Sequence, residues 1–147
     1  MQHRIRLVTF QRAGVRYAVE VALVRQAVRV AAVEAMPGAP DFVAGRSFVG
    51  TGPAGARQEV LIDLARVYSP TDEPATHAVL VTVDGTELGL LADRLGEVLD
   101  VDLDDFQPLP PFVGGNRPEW LRGRVLQGRS DVLVLDLRRV LEPLTSP

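Results

Sequence analysis

Residues Leu61-Ile62-Asp63-Leu64-Ala65-Arg66-Val67 return as Val134-Leu135-Asp136-Leu137-Arg138-Arg139-Val140. The offset is 73 positions in a chain of 147. Half a chain length is the spacing left when one small unit has been duplicated. This repeat constrains the fold more than any bulk property does. It asks for two similar bodies, and two bodies make a seam. Units of about 70 residues are marginal alone, so the two should share an interface.

The remaining pattern is one of short strands. Thirteen Gly and 11 Pro suit turns better than long helices. Ile5 to Gln11 and Val15 to Val21 read as a hairpin around Ala13-Gly14, with Tyr17, Val19 and Val21 alternating with Ala18 and Glu20. Val24 to Val33 allows helix or strand, and its closely spaced β-branched residues favour an extended segment. Asp41 follows a proline and suits the cap of one helical turn over Phe42-Val43-Ala44, ended by Gly45. Further strands are expected at Phe48-Val49, Glu59–Leu64, Leu95–Val101, Trp120–Gln127 and Asp131–Asp136, with a short turn or helix over Ala65–Tyr68. The clearest hairpin runs from Ala78 to Ala92 through Asp84-Gly85, a pair suited to a tight two-residue turn. Gln107 to Phe112, rich in proline, should be extended and irregular. The fold class is all-β with few short helices, in a barrel architecture. Ser69 to Pro74 is the most linker-like stretch. It places one sub-barrel at 15–75 and the other at 76–147, with the N-terminal strand free to cross between them.

Composition removes several kinds of chemistry. There is no Cys, hence no disulfide, thiol nucleophile or thiolate metal site. All 16 cationic residues are Arg, so no Schiff-base or P-loop lysine exists. Residues 1–73 carry nine Arg and seven acids, while 74–147 carry seven Arg and twelve acids. Neither half presents the dense basic stripe of a nucleic-acid surface. No apolar run serves as a signal peptide or membrane span, so the expected location is the cytoplasm.

Three apparent motifs fail on mechanism. Gly50-Thr51-Gly52-Pro53-Ala54-Gly55 matches G-x-G-x-x-G, but Pro53 lies inside it and a strand follows where a helix should open. Asp100, Asp102, Asp104 and Asp105 suggest a calcium loop. The sixth and twelfth places counted from Asp100 hold Asp105 and Pro111 in place of Gly and Glu. His3 and His77, the two histidines, lie in a terminal tail and near a linker, without nearby paired carboxylates or thiols to build a triad or metal site. No catalytic residue, cofactor or metal is assigned, which leaves surface recognition.

Taken in order, the segments resemble the bacterial chemotaxis coupling proteins of the CheW family. The likeness runs through Tyr17, Val24-Arg25-Gln26-Ala27, Pro40-Asp41-Phe42-Val43-Ala44-Gly45 and Leu61-Ile62-Asp63-Leu64. It continues through Gly89 to Leu99, Phe106 to Phe112, and the final strand and helix over Val132 to Leu141. The resemblance implies two SH3-like five-stranded barrels side by side. It also implies a non-catalytic adaptor that couples chemoreceptor tips to the regulatory domain of a CheA-type histidine kinase. In that role the receptor tip would meet an apolar groove, with Val28, Val30, Phe48, Val49, Gly50 and Val98 as candidates. Gln26, Arg46 and Arg57 are candidates for the kinase contact. Asp63 and Asp136 are expected to cap the turns that follow them.

The departures matter too. Where the family carries Asn-Leu-Arg-Gly, this chain has Phe48-Val49-Gly50-Thr51, so the arginine is Gly50. About five extra residues follow, and the usual acid of the third strand is Gln26. These changes raise an alternative: a receptor-binding member that does not recruit the kinase. A single-stranded nucleic-acid barrel would need stacking aromatics in a basic groove, and one Trp and two Tyr do not supply them.

Overall fold

A computed structural model describes residues 4–30, 32–49, 57–109 and 117–145. The strands are β1 (Arg4–Arg12), β2 (Val15–Glu20), β3 (Val24–Arg29), β4 (Val43–Val49) and β5 (Arg57–Ile62), followed by helix α1 (Ala65–Tyr68). Then come β6 (His77–Val83), β7 (Thr86–Ala92), β8 (Arg94–Asp102), β9 (Leu121–Gln127) and β10 (Ser130–Leu135), and helix α2 (Leu137–Thr145). They form two five-stranded sheets, ordered β8-β1-β2-β10-β9 and β3-β6-β7-β5-β4.

The duplication is legible in every part of this arrangement. Hairpins β1–β2 and β6–β7 are equivalent. Each turns through two left-handed residues, Ala13 and Gly14 (φ 49° and 80°) or Asp84 and Gly85 (φ 47° and 82°). Strands β5 and β10, which open the repeated phrase, each join a hairpin in parallel: Ile62 beside Leu90, Val134 beside Ala18. The third strand after each hairpin leaves for the other sheet. β3 follows β2 but pairs with β6, and β8 follows β7 but pairs with β1.

The sub-barrels therefore do not divide at residue 75. One is the continuous segment β3–β7, and the other joins the N-terminal hairpin to β8–β10. The Ser69–Pro74 stretch lies within the first, between α1 and β6. The N-terminal strand β1 pairs with β2 on one side and with β8 of the second sequence half on the other. The expected helical turn over residues 42–44 is also replaced. Val43 N–H donates to Pro40 C=O and Phe42 C=O accepts from Asp63 N–H, which draws Val43 into β4 opposite Ile62.

Each sheet closes by one bridge between its outer edges, Glu34 with Arg46 and Gln107 with Arg124. A glycine with positive φ precedes each bridging arginine. A Cβ on Gly45 (φ 148°) would lie 2.2 Å from Glu34 O, and one on Gly123 (φ 154°) would lie 2.8 Å from Gln107 O. These two positions need glycine because the closing segment rests on the backbone itself.

Alternation along the strands splits side chains between separate cores. Ala18, Val132 and Val134 face the interior of one barrel with Leu7 and Val125. Leu61, Ala78, Leu80 and Leu91 face the interior of the other. The intervening residues, among them Tyr17, Val19, Ile62, Val79, Val81, Leu88, Leu90 and Leu133, share one larger core that spans both sheets. Both faces of the central strands are thus buried. That is why His77–Val83 reads as a nearly continuous apolar run.

Candidate functional site

The seam is where the two bodies could serve a partner, and its interior is filled. Phe10 stacks on Tyr17 at 5.5 Å, and Tyr17 lies 6.2 Å from Tyr68. Phe42 meets Trp120 edge-on at 4.8 Å. These last two have matching roles: Phe42 C=O accepts from Asp63 N–H and Trp120 C=O from Asp136 N–H. The Arg117 guanidinium covers both rings, at 5.0 and 5.3 Å from their centroids. Burial pushes the Tyr17 and Tyr68 hydroxyls well above the ordinary tyrosine range.

One end of the seam holds a buried ion cluster that sequence reasoning missed. Arg12 is 2% exposed. Its Nε and Nη2 each donate to Asp63 at 2.9 Å, Nη1 donates to Asp93 at 2.9 Å, and Nη2 also donates to Glu73 C=O at 3.0 Å. Hydrogen bonding to Asp63 raises the Arg12 pKa, against the opposing effect of burial. Asp63 also accepts from Ala65 N–H at 3.0 Å, which is the expected cap of α1. Asp136 accepts from Arg139 N–H at 3.4 Å at the start of α2. Arg12 ties β1 of one barrel to the β5–α1 corner of the other. Its signal in the sequence was an arginine at a hairpin position whose repeat mate is Val83.

The sequence-predicted contact residues fall in different places. Val28 and Val30 are half-buried and pack against the β3–β7 barrel core. Val98 sits on β8 in the other sheet, opposite Val8, and is 51% exposed. Leu95 on the same strand is 46% exposed and was not singled out from sequence. Phe48 and Val49 lie on β4, paired with Gln58 and Arg57. The side chains of Phe48, Val49 and Arg57, and the whole of Gly50, lie outside the described residues, as does the Gly-rich segment 50–56. Gln26 is exposed on β3, and Arg46 is half-buried on β4. β3 and β4 form opposite ends of one sheet order, closed by the Glu34–Arg46 bridge. The described receptor candidates are thus spread over both sheets.

No group of three or more acids or histidines suited to a metal occurs among the described residues. Asp102 and Asp105 instead cap a 3₁₀ turn over Leu103–Asp105. Among the described residues, no helix is long and apolar enough to cross a membrane.

Comparison with known proteins agrees with this geometry. Residues 6–144 match the CheW-like domain. This chain belongs to the CheW-like domain family. It is 29% identical over 146 residues to the chemotaxis protein CheW of Treponema pallidum (strain Nichols), covering 93% of this chain and 82% of that protein. Its fold is similar to the crystal structure of the scaffolding protein TtCheW from Thermoanaerobacter tengcongensis. The TM-score is 0.75 at 20% identity, over 93% of this chain and 86% of that one. Proteins of the CheW family are non-catalytic scaffolds and adaptors.

Proposed function

We propose that this CheW-like chain couples chemoreceptor cytoplasmic tips to the regulatory domain of a CheA-type histidine kinase, working in the cytoplasm at receptor arrays. The family match over residues 6–144 carries this reading. The surface is consistent with it. Leu95 and Val98 leave apolar area in water on a strand that carries the exposed acids Glu97 and Asp100. An amphipathic receptor helix would bury its apolar face there and keep its polar face wet. Because the seam is filled, the receptor reads its outer rim, through β8. The kinase contact is assigned to the β3–β7 barrel, around Gln26, Arg46 and Arg57.

Titration of the full chain with a purified receptor tip tests the receptor half. Val98→Asp should weaken that binding about tenfold or more, as expected of an anchor at the centre of a specific interface, and should leave kinase-domain affinity unchanged. Equal receptor affinity for the variant and the parent would remove β8 from the interface. Saturable receptor binding with no kinase-domain binding would identify the receptor-only alternative.

A further inference from the structure

The two halves treat their repeated aspartate differently. In the first half Arg12 closes hairpin β1–β2 opposite Val15 and lays its guanidinium across Asp63. In the second half Val83 closes hairpin β6–β7 opposite Thr86 and occupies the place of Arg12. Its side chain ends at two methyl groups and brings no donor to Asp136. Beside Asp136 lies a cavity of about 400 Å³, lined also by Glu20, Val83, Asp84, Arg122 and Arg138.

We propose that this cavity is a socket for an arginine side chain of a partner protein, the intermolecular counterpart of Arg12 on Asp63. Three observations carry it. First, the backbone frame is the same: each aspartate follows a strand paired in parallel with the hairpin of the opposite sequence half, and each accepts a backbone N–H at the start of the helix that follows. In the first half that frame holds a guanidinium through two bonds of 2.9 Å. Second, the charge fits. Three acids and two arginines line the cavity, leaving one negative charge. Arg122 is held by Glu20 at 2.7 Å, while Arg138 extends into solvent and makes a looser pair with Asp84 at 3.5 Å. Third, the site is open where its counterpart is closed. The 69–76 segment covers Arg12 through Glu73 C=O, while Asp136 remains half-buried at the cavity wall. A planar guanidinium matches a carboxylate edge with paired donors, which an ammonium does not. The inference does not depend on the identity of the receptor or the kinase.

The test is a titration of the isotope-labelled full chain with Nα-acetyl-arginine methylamide, followed by two-dimensional amide NMR. Saturable shifts at Asp136 to Arg139 are expected, with half-saturation on the order of 1–10 mM for one unassisted side chain. Asp136→Asn should weaken binding about tenfold, the loss of one charge-assisted pair. Val83→Arg should fill the socket internally and abolish the shifts. If it fails to fold, Asp136→Asn and the matching lysine compound, which should bind at least about tenfold more weakly, decide the question. Absence of shifts, equal binding of the lysine compound, or an unchanged affinity in Asp136→Asn would overturn the proposal. So would free arginine binding tenfold more tightly than the blocked form, because that marks an amino-acid site and not a docking socket.

Discussion

Arg12 and Asp63 form the most consequential pair in the molecule. Their side chains are 3% and 9% exposed, so neither charge is relieved by solvent. Removing Arg12 leaves the Asp63 carboxylate buried without its counter-charge, which typically costs about 3–5 kcal/mol. Arg12→Met should therefore lower the unfolding free energy by about that amount in urea titration. Arg12→Met combined with Asp63→Leu should lose less than the sum of the two single changes, because the stranded charge is gone. The tyrosines give a second residue-scale outcome. Tyr17 and Tyr68 are the only two in the chain, and burial raises both from the ordinary value of 10.0. Below that value both states hold the phenolic proton, and stability from this source is complete. Above it the unfolded chain releases protons that the native protein keeps, so stability falls as pH rises. Absorbance titration should show no tyrosinate in the native protein near pH 10. It should appear together with alkaline unfolding; a normal tyrosinate signal without unfolding would contradict the burial. At this scale the sequence disclosed the caps, since Asp63 and Asp136 sit in a repeated phrase. It hid Arg12, whose partners are 51 and 81 positions away.

Elements were the most legible level. Period-two alternation and turn residues located both hairpins, and the repeated phrase located the two strand-to-helix corners. Helix at 42–44 was misread because an aspartate after proline is a good local cap. The decisive bond, from Asp63 N–H to Phe42 C=O, comes from a strand far along the chain. The hairpin turns yield a prediction. Ala13 holds φ 49° without the local hydrogen bonding that Asp84 can offer in the equivalent turn. Ala13→Asn should stabilise by about 0.5–1 kcal/mol, measured as a raised thermal midpoint. The barrel closures yield the opposite. Gly45→Ala places a methyl 2.2 Å from Glu34 O in a disfavoured conformation, and it should cost more than Gly38→Ala, whose added Cβ meets nothing within 4 Å. Equal losses in denaturant titration would mean that the Glu34–Arg46 bridge is dispensable.

The whole molecule is a pair of barrels that have traded their third strands and share a core. The halves of the sequence are not the halves of the structure. Local pattern could not reveal this, because β3 and β8 look alike whichever hairpin they join; only long-range pairing assigns them. The shared core predicts one cooperative transition. Trp120, the single tryptophan, sits at the seam with 0% exposure, so its fluorescence should change together with far-ultraviolet circular dichroism. Two separated transitions would mean independent barrels. Function belongs to this scale as well, because an adaptor needs two faces held in fixed relation. The direct measurement is a three-component sedimentation assay with receptor-tip arrays, the kinase regulatory domain and the full chain. The kinase domain should sediment with receptor only when this protein is present, and Val98→Asp should abolish that dependence. Kinase sedimentation that is unchanged by adding or omitting the protein would contradict the coupling role.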